Sequence, residues 1–281
     1  MTTPIAIGAL LDAHAGVLLD AYGVLIDARG ALPGAIALID ELHRRRVPWA
    51  VVTNDASRSA TTYAARFAGL GLRIPAEHVV TSGSLLPGFF RARGLAGART
   101  CVLGPADSEA FVVEGGGVLV PLARGMAIDA LAVCDDAGFV FLDGLEISVS
   151  AIVRACDAGR SPVLVLPNPD LVYPKGDGEL GVTAGGMALV IETVLARRFG
   201  AAAPRFVHLG KPNAAIFDAA VARLGVPRDR IVMIGDQLET DIAGARGAGL
   251  RAALVAGVSR LDDARDPALA PHYLLATIEA A

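Results

Sequence analysis

The sequence has few of the features that mark secreted, membrane-spanning or nucleic-acid-binding proteins. Its three cysteines, Cys101, Cys134 and Cys156, lack CxxC spacing, and so sparse and odd a set favours a reducing compartment over a disulfide framework. No apolar run approaches the roughly 18 residues of a membrane span. The apolar start is interrupted by Asp12 and His14 and has no basic segment before it, unlike a signal peptide. A net charge of -4 provides no basic surface for nucleic acid. We therefore expect a cytoplasmic protein that binds neither membrane nor nucleic acid.

The chain has instead a regular alternation of short apolar strands and amphipathic helices. With 281 residues, 53% of them hydrophobic, it can build one large core or two moderate ones. Uninterrupted apolar strands between helices are typical of a parallel sheet covered on both faces. The fold class is therefore α/β, with a doubly wound, Rossmann-like core. The predicted core strands are 17–20, 49–53, 206–209, 231–234 and 252–255, and the predicted core helices are 35–46, 57–68, 183–198, 213–224 and 240–248.

The middle of the chain differs in composition from its two ends. Between about residues 81 and 181 glycine and proline become more frequent, yet the alternation of strands and helices continues. Strands are predicted at 101–103, 131–133 and 163–166, and a helix at 145–158. We interpret this segment as a second α/β domain inserted into the first. The predicted domains are a core, residues 1–82 and 184–281, and an insert, residues 83–183.

Polar or charged residues follow four of the predicted core strands. They are Asp20, Thr53 with Asn54, Lys211, and Asp236 with Asp241. Because ligands of open parallel sheets bind beyond the carboxyl ends of the strands, these side chains are expected to meet at one edge. A carboxylate buried there is costly unless it is paired or binds a cation, and Mg²⁺ prefers oxygen ligands. Each residue alone has a simpler explanation as a helix cap or a surface charge. Together they indicate a shared cation and phosphate site.

The order of these motifs resembles the haloacid dehalogenase superfamily, whose members are mostly magnesium-dependent phosphatases. The resemblance rests on Asp20, Thr53–Asn54, Gly210–Pro212 and Gly235–Asp241, and it extends over essentially the whole chain. The position of the insert, between the second and third motifs, is similar to the large α/β cap of the para-nitrophenyl-phosphatase-like branch. That branch includes nucleotide and sugar phosphatases.

The resemblance implies covalent catalysis, in which an aspartate takes the phosphoryl group and water then hydrolyses the aspartyl-phosphate. In this mechanism Asp20 is the nucleophile, and Thr53, Asn54 and Lys211 hold the phosphate. The lysine and Mg²⁺ neutralise charge on the transferring group. The expected substrate is a small phosphorylated metabolite.

The resemblance also implies a set of metal ligands. Asp20 and Asp236 bind Mg²⁺ through their carboxylates, and the residue at position 22 binds it through its backbone carbonyl. Asp241 does not bind the ion directly but supports it through contacts with these ligands or through water. These assignments make Asp20, Tyr22, Asp236 and Asp241 the predicted metal site.

Two residues of the insert are candidates for contact with the substrate. Asn168 and Asp170 lie on a loop that faces the substrate in the related caps, although an Asn-Pro-Asp turn needs no function to explain it. Caps of this branch often mediate dimers, so a homodimer and a monomer both remain open.

Tyr22 departs from the pattern of the family. Its phosphatases usually have a second aspartate at this position, which protonates the leaving group and then activates water. A phenol with an ordinary pKa near 10 is a proton donor but a poor base afterwards. Three alternatives follow: a phosphatase with weak activity on unactivated esters, a protein that binds phosphorylated ligands without turnover, and a hydrolytic dehalogenase. The Asp-x-Tyr-Gly sequence of this chain resembles that of the hydrolytic dehalogenases. Those enzymes, however, lack the acidic fourth motif that Asp236 and Asp241 provide here.

Overall fold

The computed structural model describes residues 2–176, 178–256 and 266–279. Contacts within the chain divide it into two compact units. The first unit comprises residues 1–53, 60–80 and 211–281, and the second comprises residues 54–59 and 81–210. Each unit has its own sheet and its own apolar core.

The strands and helices alternate along most of the chain. The strands are β1 (Thr3–Pro4), β2 (Gly16–Leu19), β3 (Trp49–Thr53), β4 (Val79–Thr81), β5 (Arg99–Leu103), β6 (Val118–Leu119), β7 (Ala130–Val133), β8 (Val163–Leu166), β9 (Val172–Gly176), β10 (Glu179–Val182), β11 (Phe206–His208), β12 (Ile231–Gly235), β13 (Arg251–Val255) and β14 (Tyr273–Leu275). The α-helices are α1 (Ile7–Ala13), α2 (Ala35–Arg45), α3 (Ala60–Gly69), α4 (Leu86–Ala92), α5 (Ala106–Glu114), α6 (Phe141–Asp157), α7 (Ala184–Phe199), α8 (Ala214–Leu224) and α9 (Ala243–Gly247). Within the described ranges, no helix combines the length and the hydropathy that crossing a bilayer requires.

The first unit is built on a seven-stranded sheet with the order β1-β14-β13-β12-β2-β3-β4. The pairs from β1 to β3 are parallel, and β2 lies between β12 and β3. Strands β2, β3 and β12 are buried along their whole length, which explains why their sequences are continuously apolar rather than alternating. This arrangement places the carboxyl ends of β2, β3 and β12 side by side at one edge.

The second unit has a five-stranded parallel sheet and a separate hairpin. The order of the sheet is β11-β8-β7-β5-β6, and β9 pairs with β10 in the antiparallel direction. Helices α6 and α7 bury apolar side chains against the sheet, among them Ile152, Met187 and Ile191. The α/β fold class with parallel, Rossmann-like sheets is thus confirmed.

The structure divides the chain differently from the predicted domains. Helix α7 and strand β11, assigned above to the core, belong to the second unit, because β11 pairs with β8 and α7 packs into the core of the five-stranded sheet. The second boundary therefore lies at Gly210 rather than at residue 183. A buried parallel strand has the same apolar sequence pattern in either sheet. Hydrophobic periodicity therefore does not show which sheet the strand joins.

Two predicted helices begin differently from the prediction. Helix α3 starts at Ala60, because the Asp55 carboxylate accepts the backbone N–H groups of Ser57 and Arg58 and holds residues 55–58 in a turn. The predicted helix 240–248 begins as a π-helical turn, Leu238–Ile242, before α9 continues it. Turns of this type are frequent at functional sites.

Candidate active site

Two aspartates of the first unit emerge from neighbouring strands at the same edge of the sheet. Asp20 follows β2 and Asp236 follows β12, and the backbone N–H of Asp20 donates to the carbonyl of Ile234 over 2.9 Å. Asp20 is 6% exposed and Asp236 is fully buried. Parallel pairing of the two strands therefore brings together two carboxylates that are 216 positions apart in the sequence.

Lys211 connects this pair of strands to a third carboxylate. Its ammonium donates to Asp20 Oδ1 over 2.6 Å and to Asp241 Oδ1 over 2.7 Å, with 3% of the residue exposed. Burial alone would lower the pKa of Lys211, but the two carboxylates outweigh it and raise the pKa above its ordinary value. The lysine is therefore held as a cation between two acids.

Asp241 shapes the loop that carries Asp236. Its Oδ2 accepts the backbone N–H groups of Asp236 and Gln237, each over 3.2 Å, while its Oδ1 accepts from Lys211. A Cβ atom at Gly235 would lie 2.3 Å from the Cβ of Asp241, so only glycine leaves room for this side chain. Both oxygens of Asp241 thus have protein donors.

Asp236 differs from its neighbours in having no such donors. Neither of its carboxylate oxygens has a hydrogen-bond partner among the described residues, although both are buried. Burial, followed by the charges of Asp20 and Asp241, raises the pKa of Asp236 to about 8. A buried acid without donors is expensive to ionise unless a cation is bound to it.

The same electrostatic conflict affects the predicted nucleophile. Burial raises the pKa of Asp20 to about 7; Lys211 opposes this effect and Asp241 adds to it. The three aspartates each offer a carboxylate oxygen within 4.8 Å of the others. This cluster of hard oxygen ligands, with the partnerless Asp236 in it, fits a divalent cation such as Mg²⁺.

The loop after Asp20 packs directly against this cluster. Gly23 has a φ of +96°, and a Cβ atom there would lie 2.1 Å from Asp236 Oδ2. Tyr22 is half-buried and packs against the apolar core of the first unit. Its ring therefore has a packing role in this core.

Thr53 is the remaining predicted site residue of the first unit. It ends β3, the strand beside β2, and is 6% exposed. The first unit therefore collects six predicted residues at the carboxyl edge of its sheet. They are Asp20, Tyr22, Thr53, Lys211, Asp236 and Asp241.

The other predicted residues form a second, hydrogen-bonded group within the second unit. Asn54 Nδ2 donates to Asp170 Oδ1 over 2.8 Å, and the backbone N–H of Asp170 donates to Asn168 Oδ1 over 3.0 Å. Asn54 and Asn168 are buried. Asn168 thus stabilises the turn that carries Asp170. This structural role is enough to explain the Asn-Pro-Asp sequence without a contact to substrate.

Some residues that shape these groups were given no role in the site by the sequence, although Gly235 belongs to the fourth motif. Gly23 and Gly235 make room for the carboxylates of Asp236 and Asp241, and the Ser82 hydroxyl donates to the backbone carbonyl of Asn54 over 2.7 Å. The glycines carry a signal, because each stands next to or within a motif. The serine lies 28 positions from its partner and carries none.

Comparison with family models places both ends of the chain in one group of enzymes. Residues 17–117 match the model described as haloacid dehalogenase-like hydrolase, and residues 208–281 match the model described as HAD-hydrolase-like. Together these matches include all six predicted site residues of the first unit.

Relatives and solved structures agree with these models along the whole chain. Chronophin from Homo sapiens is 30% identical over 97% of this chain and 94% of its own length, and D-glycerol 3-phosphate phosphatase from Mycobacterium tuberculosis is 31% identical over 95% and 70%. A crystal structure from Cytophaga hutchinsonii, described as a possible sugar phosphatase, has 29% identity and a TM-score of 0.87 over 100% of both chains. The magnesium complex of a glycerol phosphate phosphatase from M. tuberculosis has 28% identity and a TM-score of 0.80, over 96% of this chain and 76% of that one. The chain therefore belongs to the haloacid dehalogenase-like hydrolases, in the branch that includes chronophin and the glycerol phosphate phosphatases.

Proposed function

We propose that this chain is a magnesium-dependent phosphatase that hydrolyses a small phosphorylated metabolite through an aspartyl-phosphate on Asp20. The observation that carries the proposal is the buried Lys211 ammonium, which bridges Asp20 and Asp241 beside the partnerless carboxylate of Asp236. A dehalogenase needs no such cation site, because its halide leaves carbon without a metal. A nucleophile, a fixed ammonium and a cluster of carboxylate oxygens that can hold a cation are the groups that phosphoryl transfer requires.

Asp20 is the proposed nucleophile. One carboxylate oxygen accepts from Lys211 at 2.6 Å and is held in a fixed direction. A carboxylate oxygen of Asp20 forms a bond to phosphorus as the bond from phosphorus to the ester oxygen breaks. Water then attacks the phosphorus of the acyl phosphate, which releases phosphate and regenerates the carboxylate.

Lys211 is the proposed charge-neutralising group from the protein. Because Lys211 is 3% exposed and its ammonium is held by two acids, the ammonium needs little reorganisation to meet the charge on the phosphoryl oxygens. Thr53, at the end of the adjacent strand, offers a hydroxyl to the same oxygens.

Asp20, Asp236 and the backbone carbonyl of Tyr22 would hold Mg²⁺, with Asp241 fixing the loop behind Asp236. When bound, the ion would offset the carboxylate charges and polarise the phosphate oxygens. The fit rests on the donor set of these residues and on the two buried oxygens of Asp236.

Tyr22 determines which esters the enzyme can cleave well. An alkoxide leaving group needs a proton, and general acid catalysis supplies typically about 10²–10⁴-fold of the rate. The phenol is a weaker acid than the aspartic acid it replaces, so we propose slow turnover of alkyl phosphates and faster turnover of activated ones. The names of two relatives, a dihydroxyacetone phosphatase and a D-glycerol 3-phosphate phosphatase, support small phosphorylated metabolites as the substrate class.

The test measures phosphate release, with Mg²⁺ or with chelator, from acetyl phosphate, para-nitrophenyl phosphate and glycerol 3-phosphate. Wild type and Asp20→Asn are compared, and halide release from a 2-haloacid is measured in parallel. The proposal predicts Mg²⁺-dependent phosphate release by wild type and none by Asp20→Asn. Phosphate ligands that stabilise the wild type without being consumed would instead favour a binding protein, and halide release in chelator would favour a dehalogenase.

A further inference from the structure

A cavity of about 230 Å³ lies in the first unit at the amino ends of β13 and β14. Asp20 and Asp236 follow the carboxyl ends of strands in the same parallel sheet, so the cavity lies at the edge opposite to them. It is distinct from the candidate active site. The residues that line it are Asp229, Arg246, Gly249, Leu250, Arg251 and His272.

The protonation of His272 follows from its backbone contact. The backbone N–H of Ala252 donates to His272 Nδ1 over 3.1 Å, so in the neutral imidazole the proton is on Nε2. His272 Nε2 lies 3.5 Å from Arg246 Nη1, which is also an obligate donor. Two N–H donors cannot satisfy each other, and both therefore require an acceptor from the cavity they line.

Arg246 has a further donor without a partner. Its Nε is buried and has no hydrogen-bond partner in the described part of the chain. The Nε–H points to the side of the guanidinium that carries Nη2, away from Nη1, so it does not face the acceptor that Nη1 and His272 Nε2–H need. The cavity therefore has two adjacent donors, Arg246 Nη1 and His272 Nε2, that need acceptor oxygens.

The charges around the cavity also favour an anion. Burial, followed by the positive charges of Arg246 and Arg251 and by His14, lowers the pKa of His272. Over the described ranges neither arginine has an ion-pair partner, and the lining carboxylate of Asp229 is in no salt bridge with them. The cavity therefore combines a positive potential with unsatisfied donors.

We propose that this cavity binds a compact oxyanion of the phosphate class, held by Arg246 Nη1 and His272 Nε2. A volume of about 230 Å³ is below the roughly 300–1,000 Å³ of pockets for drug-sized ligands and suits a phosphate with at most a short organic group. Its position at the amino edge makes it a second phosphate site, separate from the nucleophile. The proposal does not depend on the proposed phosphatase activity.

The test follows the imidazole ¹⁵N signals of the full-length protein during titration with inorganic phosphate, in chelator at constant pH and ionic strength. His272→Gln assigns the signal of His272. Because the carboxyl edge of the sheet is remote from this ring, phosphate bound near Asp20 leaves the signal unchanged. We expect a saturable shift at His272 that sulfate reproduces and chloride does not.

Variants separate binding from general electrostatics. Arg246→Gln is expected to weaken phosphate binding at least about ten-fold, because a charge-assisted donor is lost, and Arg246→Lys is expected to have an intermediate effect. Arg228→Gln is the matched control: it removes a positive charge from the same edge, where Arg228 pairs with Asp218 and donates to Ala248. It should change binding by no more than about two-fold. A shift that chloride reproduces, the absence of any saturable shift in wild type, or equal binding by wild type and Arg246→Gln would each overturn the proposal.

Discussion

The carboxylate of Asp236 lies against Gly23 so closely that a Cβ atom at position 23 would come within 2.1 Å of Asp236 Oδ2. Gly23 also has a φ of +96°, which disfavours any other residue. We predict that Gly23→Ala displaces Asp236, lowers phosphatase activity at least about ten-fold and reduces the free energy of unfolding by about 1–3 kcal/mol. Initial rates at saturating Mg²⁺ and urea denaturation measure the two effects.

Gly8→Ala is the control for this substitution. Gly8 lies within helix α1, and a Cβ atom there would have no neighbour within 4 Å. Because alanine is favoured over glycine in helices, this variant should be as active as wild type and more stable by about 0.5–1 kcal/mol. Equal activity of Gly23→Ala and Gly8→Ala would show that the contact with Asp236 does not constrain the site.

The unpaired charge of Asp236 predicts a conflict between stability and activity. Asp236→Asn keeps the shape of the side chain and removes its charge, so the metal-free protein should have a higher Tm than wild type while Mg²⁺-dependent activity is lost. Mg²⁺ should raise the Tm of wild type and have little effect on the variant. Scanning calorimetry with chelator and with Mg²⁺ tests both points, and Asp157→Asn, at an exposed ion pair, is the control.

The gain in thermal stability of metal-free Asp236→Asn over metal-free wild type should depend on pH. The folded pKa of Asp236 is about 8, above its ordinary value of 3.8, so between these values the folded state binds more protons than the unfolded state. The metal-free wild type therefore loses stability as the pH rises from about 4 to about 8, and the variant lacks this loss. The Tm difference between variant and wild type should grow over that range. A difference that is constant with pH would contradict the proposed cost of ionising Asp236.

Lys211 should be required for folding stability as well as for activity. Lys211→Met leaves the buried carboxylates of Asp20 and Asp241 without their shared cation, and breaking a buried ion pair costs about 3–5 kcal/mol. We expect that loss of unfolding free energy at pH 7.5, together with a fall in kcat of at least about 10²-fold. The loss should be smaller at pH 5, because Asp20, with a raised pKa, takes up a proton.

The chain offers a matched control for this prediction, because it has two lysines. Lys175 is exposed on strand β9, where its ammonium lies 5.9 Å from the centre of the Tyr173 ring. Lys175→Met should change the free energy of unfolding by less than about 1 kcal/mol. If the two variants were equally stable, the ion pairs of Lys211 would have no net structural role.

The candidate site could be predicted largely from residues that follow strands. Asp20, Lys211 and Asp236 each stand directly after an apolar strand or within a short distance of one, and the parallel sheet then determines that they share an edge. The hydrogen bond from Asn54 to Asp170 in the second unit was not predictable in this way. It joins residues 116 positions apart, and only the three-dimensional pairing of loops creates it.

The extent of the inserted domain shows another limit of the sequence. Helix α7 and strand β11 have the same apolar pattern as the helices and strands of the core, and nothing local records that β11 pairs with β8. The donors of Arg246 and His272 were missed for a similar reason. In the sequence each residue resembles an ordinary surface cation. The proposed anion site depends on which nitrogen of His272 the backbone of Ala252 contacts and on the cavity that the two residues share.

Tyr22 allows a direct test of the proposed limit on acid catalysis. Tyr22→Asp supplies a carboxylic acid at this position, and we predict a gain of about 10²-fold on glycerol 3-phosphate, whose leaving group needs a proton, with little gain on acetyl phosphate. Tyr22→Phe is the control, because it keeps the ring that packs against the core and removes the hydroxyl. If the phenol donates the proton in wild type, Tyr22→Phe should be slower on glycerol 3-phosphate alone. If Tyr22→Asp gains nothing on the alkyl ester while its Tm stays within a few degrees of wild type, the limit lies elsewhere, and a phosphate-binding role becomes the better account.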